Sequence, residues 1–135
     1  LNFKQRQMYE LGSVGVATVK ERLAASQGPE DSPAKPLRKG YAIWKTKQGK
    51  GNRRNLTLSG DMLRNFEVRT VSEKRAKASL TTRKNRIKGW ANQHIEAWTV
   101  FSPKNAAAVV KAAQKVIEAM KPRLLVERFL GGRQR

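Results

Sequence analysis

The sequence predicts an α+β fold: an antiparallel β-sheet flanked by long N-terminal and C-terminal helices, with a long extended basic loop. Three observations carry this reading. Apolar residues recur at helical spacing near both ends of the chain, two short stretches of alternating character lie in the middle, and three of the five prolines fall in one basic segment. A chain of 135 residues suits a single domain with one modest core. We divide it into an N-terminal helix (1–26), an extended basic arm (27–55), a β-rich core with short helices (56–101) and a C-terminal helix and tail (102–135).

Met8, Leu11, Gly12, Gly15, Val16, Val19 and Leu23 share one face of a helix expected over about 2–25, with Arg6, Glu10, Lys20 and Arg22 largely elsewhere. A helical glycine costs about 1 kcal/mol against alanine, so two of them on the apolar face imply that another part of the chain, or another subunit, packs close there. Residues 27–40 contain Pro29, Pro33 and Pro36 and cannot be regular throughout. Tyr41 to Lys45 can form a short helix, and Lys47 to Asn55 reads as a flexible basic loop. Nearly thirty residues of this kind inside a small domain mark a functional arm, which we expect to become ordered on a neighbouring subunit.

Ser59 or Asp61 can cap a short turn through Met62, Leu63 and Arg64. Phe66, Val68 and Thr70 then alternate with Glu67, Arg69 and Val71, and Ala76, Ala78 and Leu80 with Lys77, Ser79 and Thr81. Ser72-Glu73-Lys74 between them predicts a hairpin. Ile87, Trp90 and Ala91 share one side of a helix expected over 83–94. Ser102-Pro103 is a helix start, hydroxyl at the N-cap and proline at the first position. Val109, Ala112, Ala113, Val116, Ile117 and Met120 form an apolar stripe that should run to Pro122, with Gly131 to Arg135 a mobile tail.

The charge is strongly asymmetric. The chain carries 29 Lys and Arg against 10 Asp and Glu, a formal net charge of +19. Residues 32–88 hold seventeen of the bases and only three of the acids, with no acid from Ser32 to Gly60. Such density is the usual footprint of phosphate contact, or of an acidic mating surface. Lys35, Arg38, Lys39, Lys45, Lys47, Lys50, Arg53 and Arg54 are the candidate nucleic-acid or partner contacts. Tyr41 and Trp44 lie among them, and Trp90 and Trp98 flank the second basic stretch. Aromatics interleaved with cations can stack on bases, although core or interface positions are the commoner fate of such residues.

Enzymatic chemistry finds little footing. His94 is the only histidine and cysteine is absent, which leaves no metal-ligand spacing and no disulfide. Ser59 lacks the flanking pattern of a nucleophile elbow. Gly49-Lys50-Gly51 lacks the spacing of a phosphate-binding loop. No pair of carboxylates suggests acid–base work. We expect neither enzymatic activity nor a cofactor. No apolar run approaches the roughly 20 residues of a membrane span, and no membrane partner is expected.

The order of segments carries a resemblance. Pro36-Leu37-Arg38-Lys39-Gly40-Tyr41-Ala42 is followed by a Lys-rich stretch, then Leu56-Thr57-Leu58-Ser59-Gly60-Asp61-Met62-Leu63-Arg64, a charged hairpin, Ala91-Asn92-Gln93, and Phe101-Ser102-Pro103 opening the last helix. Over about residues 29–120 this resembles the virion-morphogenesis, or tail-completion, proteins of tailed bacteriophages. Where relatives often carry a glycine near 30–33 and an acid after the Ser-Pro, this chain has Glu30-Asp31-Ser32 and Lys104-Asn105. The resemblance implies a structural virion protein that forms a closed ring, often six-fold, at the neck where tail joins head. It implies assembly in the host cytoplasm. The partners would be further copies of the chain, the head connector on the portal side, tail proteins and the genomic DNA passing through the lumen. Leu56, Leu58, Ser59, Gly60, Met62, Leu63, Phe66, Val68, Ser102 and Pro103 are the motif and core positions. The alternative is a basic protein of the nucleoid or ribosome that binds nucleic acid without sequence preference.

Overall fold

The computed structural model describes residues 3–56 and 60–133, with side chains described as far as Lys121. Its elements run α1 (Gln5–Ala24), α2 (Lys39–Lys47), α3 (Asp61–Arg64), β1 (Phe66–Val71), β2 (Ala76–Leu80), α4 (Arg83–Ile95) and α5 (Pro103–Arg133). The architecture is α+β, with long helices at both ends and a two-stranded antiparallel sheet between them. A bare hairpin is marginal in water. Here α1 lies against both strands and also against α5, so it is the element around which the core closes.

Leu11, Gly15, Val16, Val19 and Leu23 are buried along α1, as the apolar spacing predicts. The two glycines are explained within the chain. A Cβ on Gly12 would stand 2.8 Å from Ala76 Cβ and 3.0 Å from Val68 Cγ2, so this glycine lets the hairpin settle on the helix. A Cβ on Gly15 would stand 2.7 Å from the tip of the Phe101 ring. The two positions should therefore respond differently to alanine. Gly12→Ala meets atoms fixed close to the strand backbone and should lose about 1–3 kcal/mol, as overpacking does. Gly15→Ala meets a half-exposed ring that can rotate, and should stay within about 0.5 kcal/mol of the parent. Urea unfolding of both variants checks this.

Arg22, expected off the apolar face, is buried instead. Its Nη2 donates to the carbonyls of Trp98 at 2.6 Å and Val100 at 3.0 Å, tying α1 to the strand of chain that leads into α5. Burial lowers its pKa, an effect that the charges of Asp31 and Glu96 oppose.

The hairpin forms where alternation predicts it, with one change. Phe66 pairs with Leu80 and Val68 with Ala78, but the register slips between Val68 and Thr70. This bulge turns Val71, rather than Thr70, toward the half-buried side, opposite Ala76. The N-cap of the short helix α3 is Gly60, which adopts a left-handed φ of 74° and offers no side chain to cap it. Asp61 is thus the first helical residue rather than a cap. Its Oδ2 accepts from Asn85 Nδ2 at 3.2 Å, which holds α3 to α4. Ser59, the other capping candidate, lies outside the described residues, as do Thr57 and Leu58.

The start of α5 follows the sequence expectation closely. Ser102 Oγ accepts from the Asn105 amide at 3.2 Å, and Asn105 Oδ1 accepts from the Ser102 amide at 3.1 Å, a reciprocal capping pair. Asp31, remote in sequence, adds a carboxylate acceptor for the Lys104 amide at 3.0 Å, favourable at the positive end of a helix. Its pKa is lowered, chiefly by the Ser102 hydroxyl, with partial desolvation opposing and the Lys104 amide assisting. A carboxylate with a depressed folded-state pKa lends stability that is complete above its ordinary value of about 4 and is lost as pH falls through the folded value. Asp31→Asn should therefore flatten the acid limb of the stability–pH curve while changing little in its slope above about pH 6, as read by thermal unfolding across pH.

The helix does not stop at Pro122. It continues to Arg133, giving 31 residues against 20 in α1. At about 1.5 Å per residue it outlasts α1 by roughly 16 Å. A proline forfeits one hydrogen bond to the preceding turn, which bends a long helix more readily than it ends one. The tail expected from Gly131 is helical up to Arg133, and Gln134 and Arg135 lie outside the described residues.

Candidate nucleic-acid and partner interface

The 27–55 segment contains α2 over Lys39–Lys47, longer than the short helix expected at Tyr41 to Lys45. It ends in a glycine-terminated cap. Gly49 takes a φ of 71°, its amide donates to Thr46 O at 2.9 Å, and the Lys50 amide donates to Lys45 O at 3.2 Å. Gly49-Lys50-Gly51 is thus the stop of a helix, which accounts for its glycines without any phosphate cradle. On the other side of α2, the Lys35 amide donates to Glu96 Oε2 at 2.8 Å and Lys35 Nζ to the Ile95 carbonyl at 3.1 Å, at the C-terminal end of α4. Arg54 Nε donates to the Lys35 carbonyl at 2.8 Å, drawing the two ends of the segment together.

The eight candidate cations therefore divide. Lys45 is turned inward, 2 % exposed, with its ammonium donating to Arg53 O at 2.7 Å and Asn55 Oδ1 at 2.8 Å. Burial, and secondarily the charge of Arg54, lowers its pKa. It closes the loop over α2 rather than meeting an outside ligand. Lys35 and Arg54 are engaged in joining the arm to itself and to α4. Arg38, Lys39, Lys47, Lys50 and Arg53 are exposed and remain available at the surface.

The aromatic residues divide as well. Trp98 is core, 4 % exposed, packed edge-to-face on Phe66 with centroids 5.2 Å apart and donating Nε1–H to the Gly89 carbonyl at 2.9 Å. Tyr41 and Trp44 project from α2 into solvent, stacked on each other with centroids 5.6 Å apart and planes 29° apart. Trp90 is 68 % exposed, with the His94 ring edge-to-face at 4.2 Å.

The exposure of Trp90 follows from how α4 packs. The helix is capped by Thr82, whose hydroxyl accepts from the Asn85 amide, and it buries only Asn85 and Gly89. A Cβ on Gly89 would collide with Leu80 Cδ1 and approach Trp98 Cζ2 to 3.2 Å, so the bare glycine lets α4 sit directly on the core. That seating leaves Ile87, Trp90, Ala91 and His94, at i, i+3, i+4 and i+7, on a solvent-facing stripe. Arg83, Lys84, Arg86 and Lys88 border it, and the helix contains no acid. Between α2 and α4 lies a cleft of about 240 Å³, with Tyr41, Lys45 and Arg54 on one side and Asp61, Lys88 and Asn92 on the other. Tyr41 thus borders this cleft, whereas the α4 stripe lies on a different side of its helix from the cleft residues Lys88 and Asn92.

Comparison with protein-family profiles, with curated proteins and with solved structures returned no match. Among the described residues no group of three or more His, Asp or Glu gathers to hold a metal ion. Among them, too, no helix is long and apolar enough to cross a membrane.

The motif residues have structural positions. Met62 and Phe66 are in the core, Leu56, Leu63 and Val68 pack against it, and Gly60 opens α3. Ser102 caps α5 and Pro103 is its first residue. Sequence reasoning missed Arg22, Asp31, Asn85, Gly89 and Glu96. Only Gly89, a glycine inside a helical pattern, carried a signal that could have found it.

Proposed function

We propose that the chain is a structural assembly subunit, forming a ring at the neck of a tailed-bacteriophage virion and joining the tail to the DNA-filled head. One observation carries the reading: among the described residues ten large apolar side chains are exposed, against eight apolar residues in the core. Apolar side chains exposed singly are ordinary, but Ile87, Trp90 and Ala91 are gathered on one stripe of α4, which is a ready face for another subunit. A closed ring is built from such heterologous contacts. The ordered motifs from Pro36 to Pro103 support the assignment to the neck, and the +19 charge suits a lumen that carries DNA or an acidic connector surface. Its partners are further copies of itself, probed first as a hexamer, with connector and tail proteins above and below. The work is done by contact, with no catalytic step. Imaging of intact particles tests this: a ring of this fold at the head–tail joint is expected, and purified particles that lack the chain would sink the proposal.

A second reading, a basic protein that binds nucleic acid without sequence preference, is favoured by the exposed aromatic pair on α2.

A further inference from the structure

We propose that α2 and the loop after it form a stacking site for an unpaired nucleic-acid strand, in which Trp44 and Tyr41 receive bases while the exposed cations around the helix, Arg38, Lys39, Lys47, Lys50 and Arg53, hold the phosphates. The inference does not rest on ring formation; it applies equally to a single subunit.

Exposure and geometry come first. Trp44 is 45 % and Tyr41 44 % exposed, and the two rings stack on each other as a two-ring aromatic shelf whose outer ring faces are the places for a base. In α2 the burial falls on Lys45, so the shelf is not the edge of a core. A core-facing helix would bury its aromatics and expose its lysines; α2 does the reverse at Trp44 and Lys45.

The platform is also held in place. The Lys45 ammonium anchors the 53–55 loop, Gly49 ends the helix, and Arg54 ties the loop to the carbonyls of Lys35 and Pro36. These bonds position Lys50 and Arg53 beside the helix that carries the shelf. A base that lands there meets side chains whose supporting loop is already ordered.

Charge then selects the occupant. No acid occurs from Ser32 to Gly60, and of the acids packed near the lobe Glu96 accepts from the Lys35 amide and Asp61 lines the cleft beside Tyr41, so cations outnumber acids there and favour an acidic ligand over a second copy of the lobe. Duplex DNA offers phosphates but keeps its base faces inside the stack. An unpaired strand offers both, and aromatic side chains flanked by cations are the general means of holding one.

The test is fluorescence anisotropy with two labelled probes at about 0.15 M salt: an oligodeoxythymidine of about 15 nucleotides, within the usual span of such sites, and a blunt duplex with the same number of phosphates. Trp44→Ala should weaken binding of the single strand by about 5- to 150-fold, the usual range for losing one stacked base, while changing duplex affinity less than about twofold. Trp44→Phe, which keeps an aromatic face, should restore most of the loss. Lys47→Ala with Arg53→Ala should weaken both probes and reduce the salt dependence of each. The proposal is overturned if Trp44→Ala leaves single-strand affinity unchanged, if it weakens both probes equally, or if Trp44→Phe fails to rescue. It is overturned equally if Trp44→Ala changes the mass of the particle in solution, which would make the shelf a contact between subunits. Retained strand binding by a protein that never forms rings would contradict the neck assignment and leave this site standing.

Discussion

Trp98→Ala is expected to lower the unfolding free energy by about 3–5 kcal/mol, the range for removing a large buried aromatic. The ring packs on Phe66, lies under Gly89, and its Nε1–H serves the Gly89 carbonyl. Truncation opens a cavity at the meeting point of α4 and the hairpin, and leaves that carbonyl without its donor. A domain of this size has about 5–15 kcal/mol in total, so the variant should sit near the edge of folding. Trp98→Phe retains the edge contact and loses the donor, so it should fall between. Urea midpoints at constant slope measure both. A loss under about 1 kcal/mol for the alanine variant would mean that the core does not close on this residue.

Ile87→Asp combined with Trp90→Glu should abolish self-association with little change to the subunit itself. Ile87 is 59 % and Trp90 68 % exposed, and neither supports the core from which α4 projects. Exposed substitutions of this kind usually cost the isolated fold no more than about 0.5 kcal/mol each. At an interface the same changes place carboxylates on an apolar contact surface, where an unpaired charge is expensive to desolvate. Circular dichroism should therefore match the parent while the particle mass drops. A drop in helix content along with the mass would show that the stripe supports the fold instead.

Much of the fold was legible because its signals are local. The spacing from Met8 to Leu23 marked α1, alternation marked the hairpin, and Ser102-Pro103 marked the start of α5. What escaped depends on partners distant in sequence. The slip after Val68 has no local marker, since Thr70 and Val71 both suit a strand. Arg22 reads as a surface cation until the carbonyls of Trp98 and Val100, more than seventy residues away, arrive to receive it. Lys45 differs from Lys47 only because the loop returns acceptors to one and not the other.

The aromatic residues show why the candidate site was only half readable. Sequence reasoning favoured core or interface positions for Tyr41, Trp44, Trp90 and Trp98 together. Only Trp98 is buried, and of the four it stands farthest from any Lys or Arg, Lys88 and Lys104 being the nearest on either side. The others sit within a few residues of several cations, and their helices are seated by Lys45 or by Asn85 and Gly89 rather than by an apolar face. A small residue at the right helical position can take the place of an apolar stripe as the packing surface, and period counting alone does not reveal that exchange.

Self-association is what the proposed neck function stands on, and multi-angle light scattering over a range of protein concentrations and salt tests it most directly. The account predicts a discrete mass of several 15.2 kDa subunits that collapses toward a single subunit in the Ile87→Asp, Trp90→Glu variant. A mass of one subunit for the parent protein at every concentration would contradict it.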